Sequence, residues 1–248
     1  MVEREKPYNG DYRLIDLLGR GEFGEVYSGK NIDSGMQVVI KLLYIPVMRD
    51  DEVAIFQQNA RILARLKHPN IVRVLDYYVE DDSRRPALVM DFAPNGTLRE
   101  RHTRGTRLPL STVVKYVRQI AAALQYAYDQ GIIHLDVKPE NILIGQNDEL
   151  LLSDFGITRL SEGENILEYA NSYATGAPDY TAPEQIEGKP CAASDQYALA
   201  IMVYEWLCGR PPFSENDERN IQRQHMDAPV PSLREQIALS PAIERVVL

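Results

Sequence analysis

The sequence predicts an α+β fold in which strands come first and helices follow. Short apolar runs separated by turn residues fill positions 12–43 and recur at 71–91. The run Met90-Asp91-Phe92-Ala93-Pro94-Asn95-Gly96 then breaks the strand pattern. From Ser111 onward apolar residues return at helical spacing, and the stretch Tyr197 to Leu207 is apolar nearly all round, as a helix in the middle of a lobe would be. With 248 residues the chain can build one large domain or two packed lobes. Its 44% apolar and 25% charged content is ordinary for a soluble globular protein. A net charge of −9 argues against a nucleic-acid partner. Cys191 and Cys208 make neither a disulfide framework nor a metal pattern, so a reducing, cytoplasmic setting is expected. No apolar run approaches the ~20 residues that span a bilayer, and Met1 to Asn9 show no secretory pattern.

Taken in order, Leu14, Ile15, Leu17 and Leu18 lead into Gly19-Arg20-Gly21-Glu22-Phe23-Gly24, followed by Val26 and Tyr27. Glycines in a strand-turn-strand setting let backbone amides approach phosphate oxygens without side-chain collision. A turn at Asp33-Ser34-Gly35 precedes the buried-strand composition Val38-Val39-Ile40-Lys41-Leu42-Leu43. A lysine inside such a run is costly without an anionic partner. Residues 51–66 read as a helix, with Val53, Ile55, Phe56, Ala60, Leu63 and Ala64 mostly on one face, stopped by Lys67-His68-Pro69-Asn70. Strands follow at Ile71 to Tyr78 and Ala87 to Asp91. Ser111 is a candidate N-cap for a helix whose stripe is Val113, Val114, Val117, Ile120, Ala121, Leu124 and Ala127, closed by Gly131. Ile142 to Ile144 and Leu150 to Leu152 read as a short hairpin. Ser194-Asp195 opens the buried helix that runs through Cys208, and Ser240-Pro241 caps a last helix.

The chemistry concentrates in His134-Leu135-Asp136-Val137-Lys138-Pro139-Glu140-Asn141 and in Asp154-Phe155-Gly156. Asp136 could accept a proton from an attacking hydroxyl, and Lys138 could offset charge on a phosphate in flight. Asn141 and Asp154 are hard oxygen ligands of the type that suits Mg²⁺. Phosphoryl transfer needs little more than these and a grip on the nucleotide, because positioning and charge stabilisation supply most of the rate.

In this order and spacing the motifs resemble the protein kinase family: a G-x-G-x-x-G-x-V loop at 19–26, a strand lysine at Lys41, H-x-D-x-K-x-x-N, D-F-G, and Ala182-Pro183-Glu184 ending a long polar segment. The resemblance implies a bilobal fold, with a β-rich N-lobe at about 10–91, a hinge at about 91–96 and a helical C-lobe at about 97–248 whose last helix is cut short. It implies a serine/threonine kinase taking ATP, Mg²⁺ and a protein substrate. The loop Gly19, Gly21 and Gly24 would cover the phosphates, and Lys41 would hold the α and β groups. Val26 and Val39 would lie above the adenine and Leu143 below, with backbone groups of Asp91 and Ala93 on its edge. Asn141 and Asp154 would bind the metal, Asp136 would be the base and Lys138 would steady the γ-phosphoryl.

The chain departs from the family pattern at three positions. Asn59 stands where a helix glutamate pairs with the lysine, Leu135 where an arginine gathers an activating phosphate, and Ala177 where a threonine contacts the catalytic loop. Activity is therefore expected not to depend on phosphorylating Ser161, Ser172 or Thr175. The alternative function is a pseudokinase, an ATP-binding or scaffold module with little catalysis. Small-molecule kinases share part of the loop logic, but the long segment ending at Glu184 favours a protein substrate. The family's partner for Glu184 would lie beyond Leu248, so Glu184 is expected to lack it.

Overall fold

A computed structural model of the chain describes residues 7–8, 10–21, 24–44, 50–80, 83–155, 178–215 and 217–247. The expectations for Gly156, Ser161, Ser172, Thr175 and Ala177 fall outside these ranges. The fold is α+β, as expected, and the chain divides into two compact units that part between Ala93 and Pro94.

The first unit is built on an antiparallel sheet of six strands: β1 (Pro7–Tyr8), β2 (Tyr12–Gly21), β3 (Gly24–Asn31), β4 (Gln37–Leu43), β5 (Val74–Val79) and β6 (Pro86–Asp91). They lie in the order β1-β2-β3-β4-β6-β5. Strand β4 is buried on both faces from Val38 to Leu43, which explains why every residue of that run but Lys41 is apolar. Because side chains alternate along a strand, Val38, Ile40 and Leu42 fall on one face. There they form a core with Tyr12, Tyr78, Ala87 and Val89. Val39 and Lys41 take the other face. Register puts Val39 opposite Ser28 and Met90, and Lys41 opposite Val26 and Leu88.

Helix α1 (Asp50–Leu63) packs against β5 and β6 through buried Phe56, Ala60 and Leu63. It ends before the expected residue 66, because Arg65 N and Leu66 N bond the carbonyls of Ile62 and Leu63 in a tightened last turn. The strand expected from Ile71 begins at Val74, since Ile71 N is taken by His68 O at 3.1 Å in the preceding turn.

The second unit is mostly helical. Helix α2 (Leu98–Arg101) opens with a capping box between Thr97 and Glu100. Helix α3 (Leu110–Asp129) starts one residue before the expected cap, for the Pro109 carbonyl takes the first amide bonds and the Ser111 side chain caps nothing. Its buried face is Val113, Tyr116, Ile120, Ala123, Leu124 and Ala127. Tyr116 and Ala123 are buried in place of Val114 and Ala121, and Val117 is only half-buried. The neighbour α5 (Ala192–Cys208) sets this rotation, with the Tyr116 ring edge-on to Trp206 at 5.8 Å. The hairpin β7 (Ile142–Ile144) and β8 (Leu150–Leu152) is as read from the sequence. Short α4 (Pro183–Ile186) precedes α5, and α6 (Glu218–Asp227) and α7 (Pro241–Val247) follow it.

Helix α5 is buried almost throughout, and Gly209 ends it with φ +84°, a conformation that favours glycine. It begins at Ala192, earlier than expected. Ser194 is its third residue and reaches back to accept the Cys191 amide at 3.1 Å. Among the described residues no helix is long and apolar enough to cross a membrane.

Candidate active site

In the second unit the short 3₁₀ turn Pro139–Asn141 and the loop before it converge on Asp136. Lys138 Nζ lies 2.8 Å from Asp136 Oδ2. Asn141 Nδ2 donates to the same oxygen at 2.7 Å and to the Asp136 carbonyl at 2.8 Å. Both bonds fall on Oδ2, which leaves Oδ1 as the oxygen that can meet an incoming hydroxyl proton.

The loop beneath is over-determined. Asp195, 1% exposed at the start of α5, accepts the amides of His134 at 2.8 Å and Leu135 at 2.7 Å, and the Tyr128 hydroxyl at 3.2 Å. Burial pushes the Asp195 carboxyl up from the usual range, and those bonds oppose the rise. His134 is buried too. Its Nδ1 accepts the Asp136 amide at 3.2 Å, so Nε2 carries the hydrogen that meets Ser153 O at 2.8 Å. Its ring rests on Phe155, centroids 4.5 Å apart. Ser153, just before Asp154, donates its amide and hydroxyl to Asn141 O at 2.9 and 3.0 Å. Asp154 itself has φ +63° and Leu135 φ +65°, left-handed conformations that cost a non-glycine residue of order 1 kcal/mol or more.

The first unit holds the remaining expected residues. Lys41 is 6% exposed, on the same sheet face as Val26 and Val39. Gly19 and Gly21 lie on β2, where an added Cβ would meet nothing within 4 Å. At Gly24 it would lie 2.2 Å from Leu42 O, so that glycine is required by the sheet itself. The Asp91 amide is bonded to Arg73 O at 3.0 Å, and its carboxylate pairs with Arg73 Nε at 3.3 Å. Ala93, where the chain leaves this unit for the second, is half-buried. Leu143, half-buried on β7 in the second unit, forms a bridge with Thr97.

Sequence comparison agrees with this arrangement. The protein kinase domain profile matches residues 12–245. This chain belongs to the protein kinase family. Over 246 residues it is 34% identical to the serine/threonine-protein kinase pkn2 of Myxococcus xanthus, covering 96% of this chain and 29% of that protein. A probable serine/threonine-protein kinase of Streptomyces coelicolor is 32% identical over all of this chain and 37% of its own length. Aurora kinase A-A of Xenopus laevis is 32% identical over 86% of this chain and 51% of its own. The chain thus spans about half or less of the length of these relatives.

Membership of the protein kinase family implies ATP and Mg²⁺, and the donor set fits the metal. Asn141 spends its amide nitrogen on Asp136, so its Oδ1 is the atom left for a cation. Together with the Asp154 carboxylate it would offer two hard oxygens, the ligand type that Mg²⁺ takes. Among the described residues no cluster of His, Cys, Asp and Glu makes a fuller metal cage.

Sequence reasoning missed a second constellation in this kinase unit. Arg99 donates to Glu205 Oε1 at 2.6 Å and Oε2 at 3.2 Å, to Glu140 at 2.8 Å, and to the Tyr180 hydroxyl, which in turn donates to Glu205. Burial works against the Arg99 charge, but the bonds to Glu205, Tyr180 and Glu140 outweigh it and hold its pKa above the ordinary value. Burial beside Glu205 likewise pushes the Tyr180 phenol up. Glu205 was the available signal: a carboxylate 2% exposed in an apolar helix demands a cation. Glu184, expected to lack a partner, accepts the Ser194 hydroxyl at 2.6 Å. A hydroxyl thus occupies it where the family pattern has an arginine.

Proposed function

We propose that the chain transfers the γ-phosphoryl group of ATP to serine or threonine hydroxyls of a protein substrate. The observation that carries this is the Asp136 carboxylate held on one oxygen by both Lys138 and Asn141. Relatives whose names are serine/threonine-protein kinases support the substrate class.

In this reading the amides of the Gly19, Gly21 and Gly24 loop cover the phosphates and Lys41 holds the α and β groups. Val26, Val39 and Leu143 contact the adenine, with backbone groups of Asp91 and Ala93 on its edge. Asp136 orients the hydroxyl and takes its proton at Oδ1 as the new O–P bond forms and the bond from the γ-phosphorus to the leaving ADP oxygen breaks. Lys138 offsets negative charge on the transferred group. Asn141 and Asp154 would hold Mg²⁺, which supplies charge neutralisation on the phosphates when bound. The N-lobe runs to about residue 91, the hinge to 96 and the C-lobe onward to 248. The free, exposed Cys191 thiol suits a reducing cytoplasm.

The test is phosphate incorporation into a generic protein substrate. Asp136→Asn should lower it by roughly 10²–10⁴-fold while leaving the Mg-ATP thermal shift in place. Equal incorporation by the variant would overturn the reading. Nucleotide binding with no incorporation by the parent would leave a scaffold module.

A further inference from the structure

We infer that Gln185 is a positioning residue for Asp136, gripping the catalytic loop through the backbone; this rests on the function proposed above. Its side chain reaches from α4, just after Glu184, and donates Nε2–H to the carbonyl of Leu135 at 2.9 Å. Only the nitrogen of its amide can face a carbonyl, so the orientation is fixed by chemistry.

That carbonyl belongs to the peptide unit joining Leu135 to Asp136. The same unit's N–H is the Asp136 amide, bonded to His134 Nδ1 at 3.2 Å. The plane immediately before the proposed base is thus held at both ends, by Gln185 on its oxygen and by His134 on its nitrogen. Turning it would swing the Asp136 Cα–Cβ bond and pull Oδ2 away from Lys138 and Asn141. It has reason to turn, because Leu135 is strained at φ +65°. Asp195 fixes the amide on the other side of Leu135 at 2.7 Å and does not reach this plane.

Gln185 also sets where the restraint comes from. It lies two residues after Pro183, and with Tyr180 and Thr181 it lines a small cavity that Leu135, Asp136 and Val137 also line. The end of the polar segment and the base are therefore joined by a neutral amide-to-carbonyl bond. No charge on residue 135 is needed for it, which suits a chain with leucine at that position.

The experiment compares Gln185→Met and Gln185→Glu with the parent. Both keep the length of the side chain, and neither donates a hydrogen bond at pH 8. Each should lower kcat about 5–10-fold, with KM for ATP unchanged and the unfolding midpoint within a few degrees. As pH falls, the carboxyl introduced by Gln185→Glu takes up a proton and regains an O–H donor. The ratio of its kcat to that of Gln185→Met should then rise, which a loss of packing would not produce. Hydrogen exchange at the Asp136 amide should quicken about 5-fold in both. That readout needs no turnover. If the parent incorporates no phosphate, the proposed function fails and exchange alone decides the role of Gln185. Unchanged exchange overturns the inference, and so does faster exchange with unchanged kcat in an active enzyme.

Discussion

At Gly24 the nearest obstacle to a Cβ is the backbone of β4, which cannot yield as a side-chain tip can. At Gly21 the space is open. The same residue type therefore answers two demands within one loop. Gly24→Ala should cost about 1–3 kcal/mol in chemical denaturation through overpacking. Gly21→Ala should stay within about 0.5 kcal/mol of the parent. Its effect should appear instead as a several-fold weaker Mg-ATP affinity, because the methyl group occupies the room a phosphate needs. Equal stability losses at both positions would mean that the open space at Gly21 has no functional meaning. Lys41 poses a related question, for it is 6% exposed on a strand and the family's helix glutamate is Asn59 here. An amide can hydrogen-bond an ammonium but cannot neutralise it. Asn59→Glu should raise kcat/KM for ATP about 5-fold, the scale of one charge-assisted bond. A value at or below the parent would show that the amide at Asn59 does not limit the reaction.

Elements were legible where their information is local. The β4 run, the β7–β8 hairpin and the end of α5 at Cys208 could each be read from a few neighbouring residues, and each is where it was expected. Asp195 was also legible, as an acid at the start of a buried helix. What stayed hidden depends on partners distant in sequence. The face of α3 was misjudged because Val114 and Ala121 are apolar like the buried Tyr116 and Ala123, and the choice rests on distant partners such as Trp206, which packs on Tyr116. Arg99 and Glu205 are 106 residues apart, and nothing near Arg99 distinguishes it from Arg101, which pairs at the surface with Asp148. Their pairing ties α2 to α5 and, through Tyr180 and Glu140, the end of the polar segment to the catalytic loop. Arg99→Met should destabilise the second unit by roughly 3–5 kcal/mol, since it strands the Glu205 carboxylate in an apolar helix. Arg99→Met with Glu205→Leu should recover much of that, because the buried charge leaves with its partner. Denaturant titration of both single variants and the double gives the coupling energy. Additive losses would mean that the two residues do not share one buried site.

Across the molecule, the response to pH follows from histidines held where protonation is disfavoured. Burial lowers the pKa of His68, His102 and His225 below the ordinary value of 6.5. His225 is 5% exposed, bonded through Nδ1 to the Tyr197 hydroxyl at 2.7 Å and packed edge-on against Phe213. The unfolded chain therefore binds these protons more readily than the folded one. By linkage, stability is fully present above about pH 6.5 and declines as pH falls below it towards the lower folded values. Carboxyls do not confuse this window. Glu25, Asp148 and Glu244 are held below the usual range by hydrogen bonds from Arg20, Arg101 and Ser232, so their contributions are lost only at lower pH. Asp195 is raised and runs in the opposite sense, but it is common to parent and variant. His225→Gln should remove one histidine's share. Its unfolding midpoint should fall less steeply than the parent's between about pH 6.5 and 5, and the two curves should run parallel from pH 7 to 8. Parallel curves throughout would mean that His225 takes its proton as easily in the folded protein as in the open chain.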